Sequence, residues 1–324
     1  MCAIRKILLC VGTVCALACG GAPAGADIGA GLPAPTRGVD GPPPGANDWN
    51  CVPAQQHPRP VVLLHGTTDN EGAWAALAPE LAADGYCVYT LDYGRDTSTA
   101  VDAALGAIPG VYGLGDIAAS AREVASFVDR VLAATGARQV DLVGHSQGGP
   151  LARQYMRFDG GTDPADPARN RVAHLITLGG TNHGVPLPGL AALGVTGAAL
   201  RPGTPPGDAA RTLIPVAALQ QVAGSDFLTR LDAGGDTEPG VSYTAIATRY
   251  DITAIPPQAT FLTAGPGASV RNVWVQDVCP TDIVDHEMLP FDPVVGHLVE
   301  TALDPAYPAR HPVPCPTRIR PGPP

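Results

Sequence analysis

The stretch "VDLVGHSQGGPLARQYM", from Val140 to Met156, decides the fold. An apolar run typical of a buried strand leads into the motif Gly144-His145-Ser146-Gln147-Gly148, and a helical pattern follows at once. Between a strand and a helix, G-x-S-x-G forms a sharp turn that presents the serine hydroxyl. Glycines on either side leave room for that turn, because they carry no side chain to collide with the strand or the helix. We therefore predict that Ser146 is a nucleophile.

Short apolar runs alternate with longer amphipathic runs on both sides of this stretch. The predicted strands are Pro60–Leu64, Tyr86–Leu91, Gln139–Val143, Val172–Leu178, Tyr243–Thr248 and Val270–Gln276. The predicted helices are Glu71–Asp84, Asp116–Thr135, Gln147–Phe158 and Phe291–Leu303. Nearly continuous apolar strands separated by helices predict an α/β fold, with a mostly parallel sheet covered on both faces. Functional residues are then expected at the carboxyl ends of the strands.

The amino-terminal residues have the features of an export signal. Arg5 and Lys6 precede the apolar run Ile7–Cys19, and Ala24-Gly25-Ala26 is an A-x-A cleavage pattern. The apolar run is shorter than the roughly 20 residues that span a bilayer. Residues 1–26 are therefore predicted to be removed and the protein to be secreted. A lipid-anchored surface form is the alternative, because Ala16–Cys19 loosely resembles a lipoprotein cleavage box.

The rest of the chain divides by composition. Residues 27–46 form a Gly/Pro-rich arm and residues 309–324 a Pro-rich tail, since neither composition sustains a helix or a strand ladder. Residues 47–308 are predicted to form one catalytic domain.

Four cysteines remain after the predicted cleavage: Cys51, Cys87, Cys279 and Cys315. An even number in an exported chain indicates two disulfides, for which three connectivities exist. Of these, the sequence-local pairing joins Cys51 to Cys87 and Cys279 to Cys315. Free buried thiols are the alternative. The chain has no C-x-x-C motif or close Cys/His pair, so we expect no metal site, and we expect no cofactor.

The charge balance constrains the partners. The chain has a formal net charge of −10, and Lys6 is its single lysine. So acidic a chain argues against nucleic acid or an anionic membrane as the main partner. We expect a monomer.

A serine nucleophile needs a histidine base. In a strand–turn–helix hydrolase the chain order is Ser, then acid, then His. His286 follows the strand Val270–Gln276 in a loop and is the predicted base. His297 lies inside the closing helix and is the second choice, while His311 lies in the proline-rich tail.

The acid that orients the base should follow an earlier strand on the same edge. Asp251 does so, just past "YTAIATRY", and is the predicted acid. Asp285 is adjacent to His286, and consecutive side chains seldom face each other. Asp236 and Asp277 are the fallbacks, with solvated surface charges as the alternative interpretation of both.

An oxyanion hole needs two N–H donors, one from the residue after the serine and one from the loop after the first core strand. Gln147 and Thr67 occupy those positions. His65 and His145 precede the acid in the chain, so we interpret them as local structural hydrogen-bonding residues. His183 is predicted either to line the pocket or to be a buried structural histidine.

With these residues assembled, the chain resembles the secreted bacterial class 2 lipases, which are triacylglycerol lipases of the α/β-hydrolase fold. The matching stretches are "PVVLLHGTTDN", "YCVYTLDYG", "GLGDIAASAREVASFVDRVLAATGA", "VDLVGHSQGGPLARQYM", "GGTNHG", "QQVAGSDFLTRLDAGGDTEPGVSYTAIATRYD" and "VQDVCPTDIVDH". The resemblance implies a carboxylic ester hydrolase with Ser146, Asp251 and His286 as catalytic residues and with Thr67 and Gln147 as oxyanion donors. This chain departs from the family pattern at "TLIPVAALQQ", where many members have an extra cysteine pair.

Residues 185–220 are apolar, rich in glycine and proline, and too long for a simple connection. We predict a cap or lid over an acyl pocket, with a fixed helical excursion as the alternative. Residues 94–113 are predicted to form the opposite wall. Lipids or other small esters are the expected substrates, with transient contact at a lipid interface. The alternatives are an acyltransferase, a polyester hydrolase or a non-catalytic binding protein on the same fold.

Overall fold

The computed structural model describes residues 41–95, 100–186 and 214–315. The predicted export signal, most of the amino-terminal arm, the middle of the predicted lid and the end of the tail lie outside the described residues. The described residues belong to one compact unit.

The centre of this unit is a six-stranded sheet. Its strands are β1 (Val61–Leu64), β2 (Val88–Thr90), β3 (Val140–His145), β4 (Val172–Leu178), β5 (Ser242–Ala247) and β6 (Ser269–Trp274). Their order is β2-β1-β3-β4-β5-β6, and every neighbouring pair is parallel. The strand that leads to Ser146, β3, lies between β1 and β4. The carboxyl ends of these three central strands therefore meet at one edge of the sheet.

Helices cover both faces of the sheet. They are α1 (Leu77–Ala83), α2 (Ala100–Gly106), α3 (Ile117–Thr135), α4 (Gly148–Phe158), α5 (Val216–Gln220), α6 (Asp226–Asp232), α7 (Val275–Val278) and α8 (Pro293–Leu303). Val62 and Leu64 of β1 pack with α3 and α4, whereas Val61 and Leu63 pack with α1 and α8. Successive residues of a strand point to opposite faces, so a fully apolar strand contributes to both cores. The predicted α/β class, with a parallel sheet between helical layers, is confirmed.

Local signals set the ends of the helices. The Asp116 side chain accepts a hydrogen bond from the Ala119 N–H at the start of α3, and Gly136 ends that helix with φ +68°. The helix predicted over 71–84 was too long: a 3₁₀ turn over Glu71–Trp74 precedes α1. Pro79 explains the break, because its ring would clash with the Ala75 carbonyl in a continuous helix.

Two disulfides hold the ends of the domain. Cys51 is bonded to Cys87 and Cys279 to Cys315, which is the sequence-local pairing. Ala46, at the end of the predicted arm, forms a bridge with Val88 of β2. Among the described helices, none is long and apolar enough to cross a membrane.

Candidate active site

Ser146 lies in a strained turn between β3 and α4. Its φ is +53°, and its side chain is buried. A positive φ is unfavourable for a residue with a Cβ and persists only where the surroundings impose it. Here the Ser146 N–H donates to the Leu178 carbonyl at 3.0 Å, and the Ser146 carbonyl accepts from Gly149 N–H at 3.1 Å. The turn is thus tied to β4 on one side and to α4 on the other.

The two motif glycines are required by close backbone approach. A methyl group on Gly144 would lie 2.5 Å from the Gly148 carbonyl group, and one on Gly148 would lie 2.3 Å from the Leu64 carbonyl oxygen. The neighbouring atoms are backbone, so they cannot move aside as a flexible side chain would. Any larger residue at either position would therefore push α4 away from β1 and β3.

The structure brings the three residues of the predicted triad together. His286 Nε2 lies 3.0 Å from Ser146 Oγ, and His286 Nδ1 lies 2.8 Å from Asp251 Oδ2. All three side chains are buried. Asp251 comes from the loop after β5 and His286 from the loop after α7. With a neutral imidazole, Nδ1–H donates to the carboxylate and Nε2 accepts the serine proton.

The Asp251 carboxylate is fixed by its own loop. Its Oδ1 accepts hydrogen bonds from the N–H groups of Thr253 at 2.8 Å and Ala254 at 2.7 Å, which leaves Oδ2 for His286. A carboxylate held by two backbone donors has one orientation, so the negative charge of Asp251 faces a single ring nitrogen of the histidine.

Gly179 packs against this pair, a contact that the sequence does not predict. Its φ is +54°, and a methyl group there would lie 3.1 Å from His286 Nδ1 and 3.3 Å from Asp251 Oδ2. The same methyl would lie 2.7 Å from Leu289 Cδ1. The available signal was a glycine directly after the buried strand β4, but its contacts come from loops more than 70 residues further on.

His145 and His65, both interpreted as structural, differ in how far along the chain their hydrogen-bond partners lie. His145 Nε2–H donates to the His286 carbonyl at 2.9 Å, so His145 holds the loop that carries the predicted base. His65 acts locally: its ring stacks on Tyr93 with centroids 4.1 Å apart, and Nδ1–H donates to the Gly66 carbonyl at 2.8 Å. Burial lowers the pKa of His65 to about 4, so its ring is neutral near pH 7.

The two predicted oxyanion residues lie beside Ser146 and contact each other. The Thr67 hydroxyl donates to Gln147 Oε1 at 2.7 Å, and Gln147 is at the N-cap of α4. A methyl group on Gly66 would lie 3.2 Å from Ser146 Cβ, and one on Gly113 would lie 3.3 Å from Thr67 Cα. The loop after β1 is therefore packed directly between the serine and Gly113, which lies at the end of the predicted opposite wall.

The alternative acids and bases are engaged elsewhere. His297 and His311 contact the ring of Tyr307, with centroids 5.4 Å and 4.2 Å away. Asp277 forms an ion pair with Arg249 at 2.7 Å. The Asp285 carboxylate accepts from the Met288 N–H at 3.1 Å. None of these described contacts involves Ser146, Asp251 or His286.

Asp236, the other fallback, belongs to a separate polar cluster. The ligating atoms of His183, Asp232 and Asp236 lie within 4.8 Å of one another, the spacing of a metal site. However, the Arg153 guanidinium already forms ion pairs with both carboxylates, at 2.8 Å from Asp232 and 3.5 Å from Asp236. His183 donates from Nδ1 to the Ala259 carbonyl and from Nε2 to Asp236, and the latter bond raises the pKa of His183. The cluster is a clamp between loops rather than an open ligand set.

The sequence also matches a known protein family over most of its length. Residues 58–264 match the family described as Lipase (class 2). The chain belongs to the class 2 lipases. This assignment confirms the resemblance predicted from the sequence, and the matched range includes Ser146, Asp251 and both predicted oxyanion residues.

Two solved structures are similar to this class 2 lipase. Lipase B of Aspergillus fumigatus is similar at a TM-score of 0.57 and 18% identity, over 81% of this chain and 55% of that one. This chain therefore spans about half the length of the fungal lipase. The mature form of the Bacillus licheniformis lipase BlEst2 is similar at a TM-score of 0.48 and 17% identity, over 83% of this chain and 95% of that one. At such identities the likeness to the fungal structure shows the α/β-hydrolase fold.

Proposed function

We propose that this class 2 lipase is a serine carboxylic ester hydrolase that works through an acyl-enzyme on Ser146. The observation that carries the proposal is the line of hydrogen bonds from Ser146 Oγ through His286 to Asp251, at 3.0 Å and 2.8 Å, beside the loop of Thr67. A serine within hydrogen-bond reach of a base that is itself oriented by a carboxylate is the arrangement that activates a hydroxyl for attack.

In the acylation step, Ser146 Oγ attacks the carbonyl carbon of the ester while His286 Nε2 takes the hydroxyl proton. The N–H groups of Thr67 and Gln147 stabilise the oxyanion that forms. When the tetrahedral intermediate collapses, the carbon–oxygen bond to the alcohol breaks, and His286 returns the proton to the departing alkoxide. Asp251 stabilises the transient imidazolium and keeps Nδ1–H pointing towards itself.

In the deacylation step, water takes the place of the alcohol. His286 removes a proton from the water, the resulting hydroxide attacks the acyl carbon, and the proton passes to Ser146 Oγ as the carboxylic acid leaves. An added alcohol would enter by the same route and give a new ester. Measuring ester formation in the presence of an alcohol therefore reports how the protein divides acyl groups between water and alcohols.

The loops that carry the acid and the base also expose apolar side chains. Tyr250, Ile252 and Ile255 lie on the Asp251 loop, and Ile283 lies three residues before His286; all four are exposed. The Thr248 hydroxyl donates to the Val284 carbonyl at 2.6 Å, which holds the two loops side by side. Exposed apolar side chains grouped near a site are typical of an interaction surface. They support transient contact with an uncharged lipid surface, and the net charge of −10 disfavours an anionic one.

Hydrolysis of p-nitrophenyl butyrate by the purified protein tests the proposal. Ser146→Ala should abolish turnover above background. Ser120→Ala is the matched control, because Ser120 is also buried but its hydroxyl has no hydrogen-bond partner among the described residues. Equal rates for Ser146→Ala and the unaltered protein would overturn the proposal, and absence of turnover by the unaltered protein would favour a binding role.

A second set of substrates defines the ester class. Rates on esters from acetate to palmitate, and on emulsified triolein, separate a lipase from an esterase of short soluble esters. If the exposed loops contact the lipid surface, Ile252→Ser should lower the rate on emulsified triolein and leave the rate on soluble butyrate ester unchanged. Equal effects on both substrates would remove the proposed role of this surface.

We also propose that the mature protein is secreted. Two disulfides fit an oxidising compartment, and residues 1–26 have the pattern of an export signal. Sequencing the amino terminus of protein collected from the culture medium should place the first residue after Ala26. A lipid-modified Cys19 at the amino terminus would identify the anchored form instead.

A further inference from the structure

A buried chain of hydrogen bonds runs from the loop after β4 to the start of α4. The Thr181 hydroxyl donates to Gln221 Oε1 at 2.8 Å, Gln221 Nε2–H donates to Thr67 Oγ1 at 2.8 Å, and the Thr67 hydroxyl donates to Gln147 Oε1 at 2.7 Å. Gln147 and Gln221 are fully buried, and Thr67 and Thr181 nearly so. Gln147 Nε2 has no hydrogen-bond partner among the described residues, but the other side-chain polar atoms of this chain of bonds are all paired. A different arrangement of Thr67 or Gln221 would therefore leave further buried polar atoms unpaired.

The direction of this chain follows from one backbone group. Gln221 Nε2–H also donates to the Ala217 carbonyl at 3.1 Å, and a carbonyl only accepts. Turning the amide over would place Oε1 against that carbonyl, so the donor must face Ala217 and Thr67. Since Gln221 then fills an acceptor position of the Thr67 hydroxyl, the hydroxyl proton is left to bond Gln147. Gln221 thereby determines how the side chains of both predicted oxyanion residues engage each other.

Gln221 directly follows residues 185–220, the long segment after β4 that is predicted to form a lid. It caps α5, and its carbonyl accepts a hydrogen bond from the Val185 N–H at 2.8 Å. The Ala223 N–H donates back to the Val185 carbonyl at 3.0 Å. The two ends of this segment are thus hydrogen-bonded to each other at Gln221. The Gln221 side chain also contacts the loop after β1.

The loop after β1 needs such a support. Thr68, next to Thr67, has φ +61°, a conformation that a threonine adopts only when its surroundings impose it. The Thr67 side chain provides the contact between this loop and Gln147. Displacement of the loop would therefore move one N–H donor relative to the other.

We propose that Gln221 is a positioning residue that holds the Thr67 and Gln147 N–H groups at the spacing an oxyanion requires. This inference rests on the proposed ester hydrolysis. Gln221 contacts neither Ser146 nor the substrate in this role; it acts through Thr67. Removing one oxyanion donor typically costs about 10²–10³-fold in kcat, and misplacing one costs less. Loss of Gln221 should therefore lower kcat by roughly 10- to 100-fold and leave KM nearly unchanged.

The test compares two neighbouring glutamines. Gln221→Met removes the link to Thr67 at similar volume. Gln220→Met is the matched control, because Gln220 accepts from the Ile117 N–H and donates to Asp116, away from the oxyanion loop. Gln221→Met should lower kcat on p-nitrophenyl butyrate and weaken inhibition by an alkylboronic acid, a mimic of the tetrahedral intermediate, by similar factors. Gln220→Met should change neither value by more than about twofold.

A double variant separates positioning from general destabilisation. Thr67→Val removes the hydroxyl through which Gln221 acts, so Thr67→Val combined with Gln221→Met should lose no more activity than the more damaging single change. Independent effects that multiply would overturn the inference. Should Gln221→Met fail to fold, Thr181→Val tests the outer link: it should lower kcat less than Thr67→Val, and an unchanged kcat would contradict the proposal.

The two proposals fail in different ways. If Ser146→Ala retains full activity, ester hydrolysis through Ser146 is wrong. If Ser146→Ala is inactive but Gln221→Met has the kcat and boronic acid affinity of Gln220→Met, hydrolysis stands and the positioning role of Gln221 is wrong.

Discussion

The position of Gly179 gives a sharp prediction for a single added methyl group. Gly179→Ala would place that methyl 3.1 Å from His286 Nδ1, 3.3 Å from Asp251 Oδ2 and 2.7 Å from Leu289 Cδ1. The end of the leucine side chain can turn aside. The hydrogen bond between the histidine and the aspartate cannot shift without moving Nε2 relative to Ser146 Oγ.

Two costs can be separated. An alanine at φ +54° costs about 1–2 kcal/mol of folding stability, whatever surrounds it. Displacing the imidazole by a few tenths of an ångström should lower kcat by roughly 10- to 100-fold, since misplacement of a catalytic group by 1 Å can cost about 10²-fold. Because the substrate does not contact Gly179 in this mechanism, KM should change little.

Gly136→Ala is the matched control. Gly136 has φ +68°, ends α3, and has nothing within 4 Å of the position of an added methyl. Both variants should show a similar loss in denaturant unfolding, but only Gly179→Ala should lose kcat on p-nitrophenyl butyrate. Equal kcat values for the two variants would refute the argument that Gly179 makes room for the triad.

Three further predictions concern stability. Burial and the neighbouring Asp84 carboxylate raise the pKa of Glu300 to about 8. The folded state therefore retains a proton that the unfolded state loses above about pH 4.5, and the free energy of unfolding falls as pH rises from 4.5 to 8. Glu300→Gln should flatten that slope, measured by urea unfolding at several pH values. A slope unchanged by Glu300→Gln would contradict this assignment. Gly148→Ala should give little soluble folded protein, because its methyl would meet the Leu64 carbonyl oxygen at 2.3 Å, and a native-like circular dichroism spectrum with a wild-type melting temperature would be the opposing result. Replacing Cys51 and Cys87 by serine should lower the free energy of unfolding by up to about 4 kcal/mol, because the loop of 36 residues is no longer closed in the unfolded state. An unchanged melting temperature of this double variant would argue against this.

The fold could be predicted from the sequence wherever the pattern was local. The strand Val172–Leu178 was predicted with its observed ends, and the helix predicted over Asp116–Thr135 differs from α3 only by its N-cap residue Asp116. Both patterns depend on residues a few positions apart. The predicted helix over 71–84 was too long because Pro79 prevents a continuous helix back to residue 71. The pairing of the cysteines was one of three possibilities, and the structure selects the sequence-local one.

The site could be predicted in outline only. Chain order and strand ends led to Ser146, Asp251 and His286, which the structure brings within hydrogen-bond distance. Gly179 and Gln221 were not predicted, because their contacts join loops that are far apart in the sequence and meet only in the folded sheet. No local pattern encodes which glutamine of the pair "QQ" turns towards Thr67.

The most direct test of the central claim is covalent labelling of the nucleophile. The protein is treated with a p-nitrophenyl alkylphosphonate, which is attacked at phosphorus with release of p-nitrophenol, and its peptides are mapped by mass spectrometry. The account predicts one adduct per chain, on Ser146, forming with release of one equivalent of p-nitrophenol, and strongly slowed by His286→Ala. An adduct on another residue, or continued ester hydrolysis by protein fully labelled at Ser146, would contradict it.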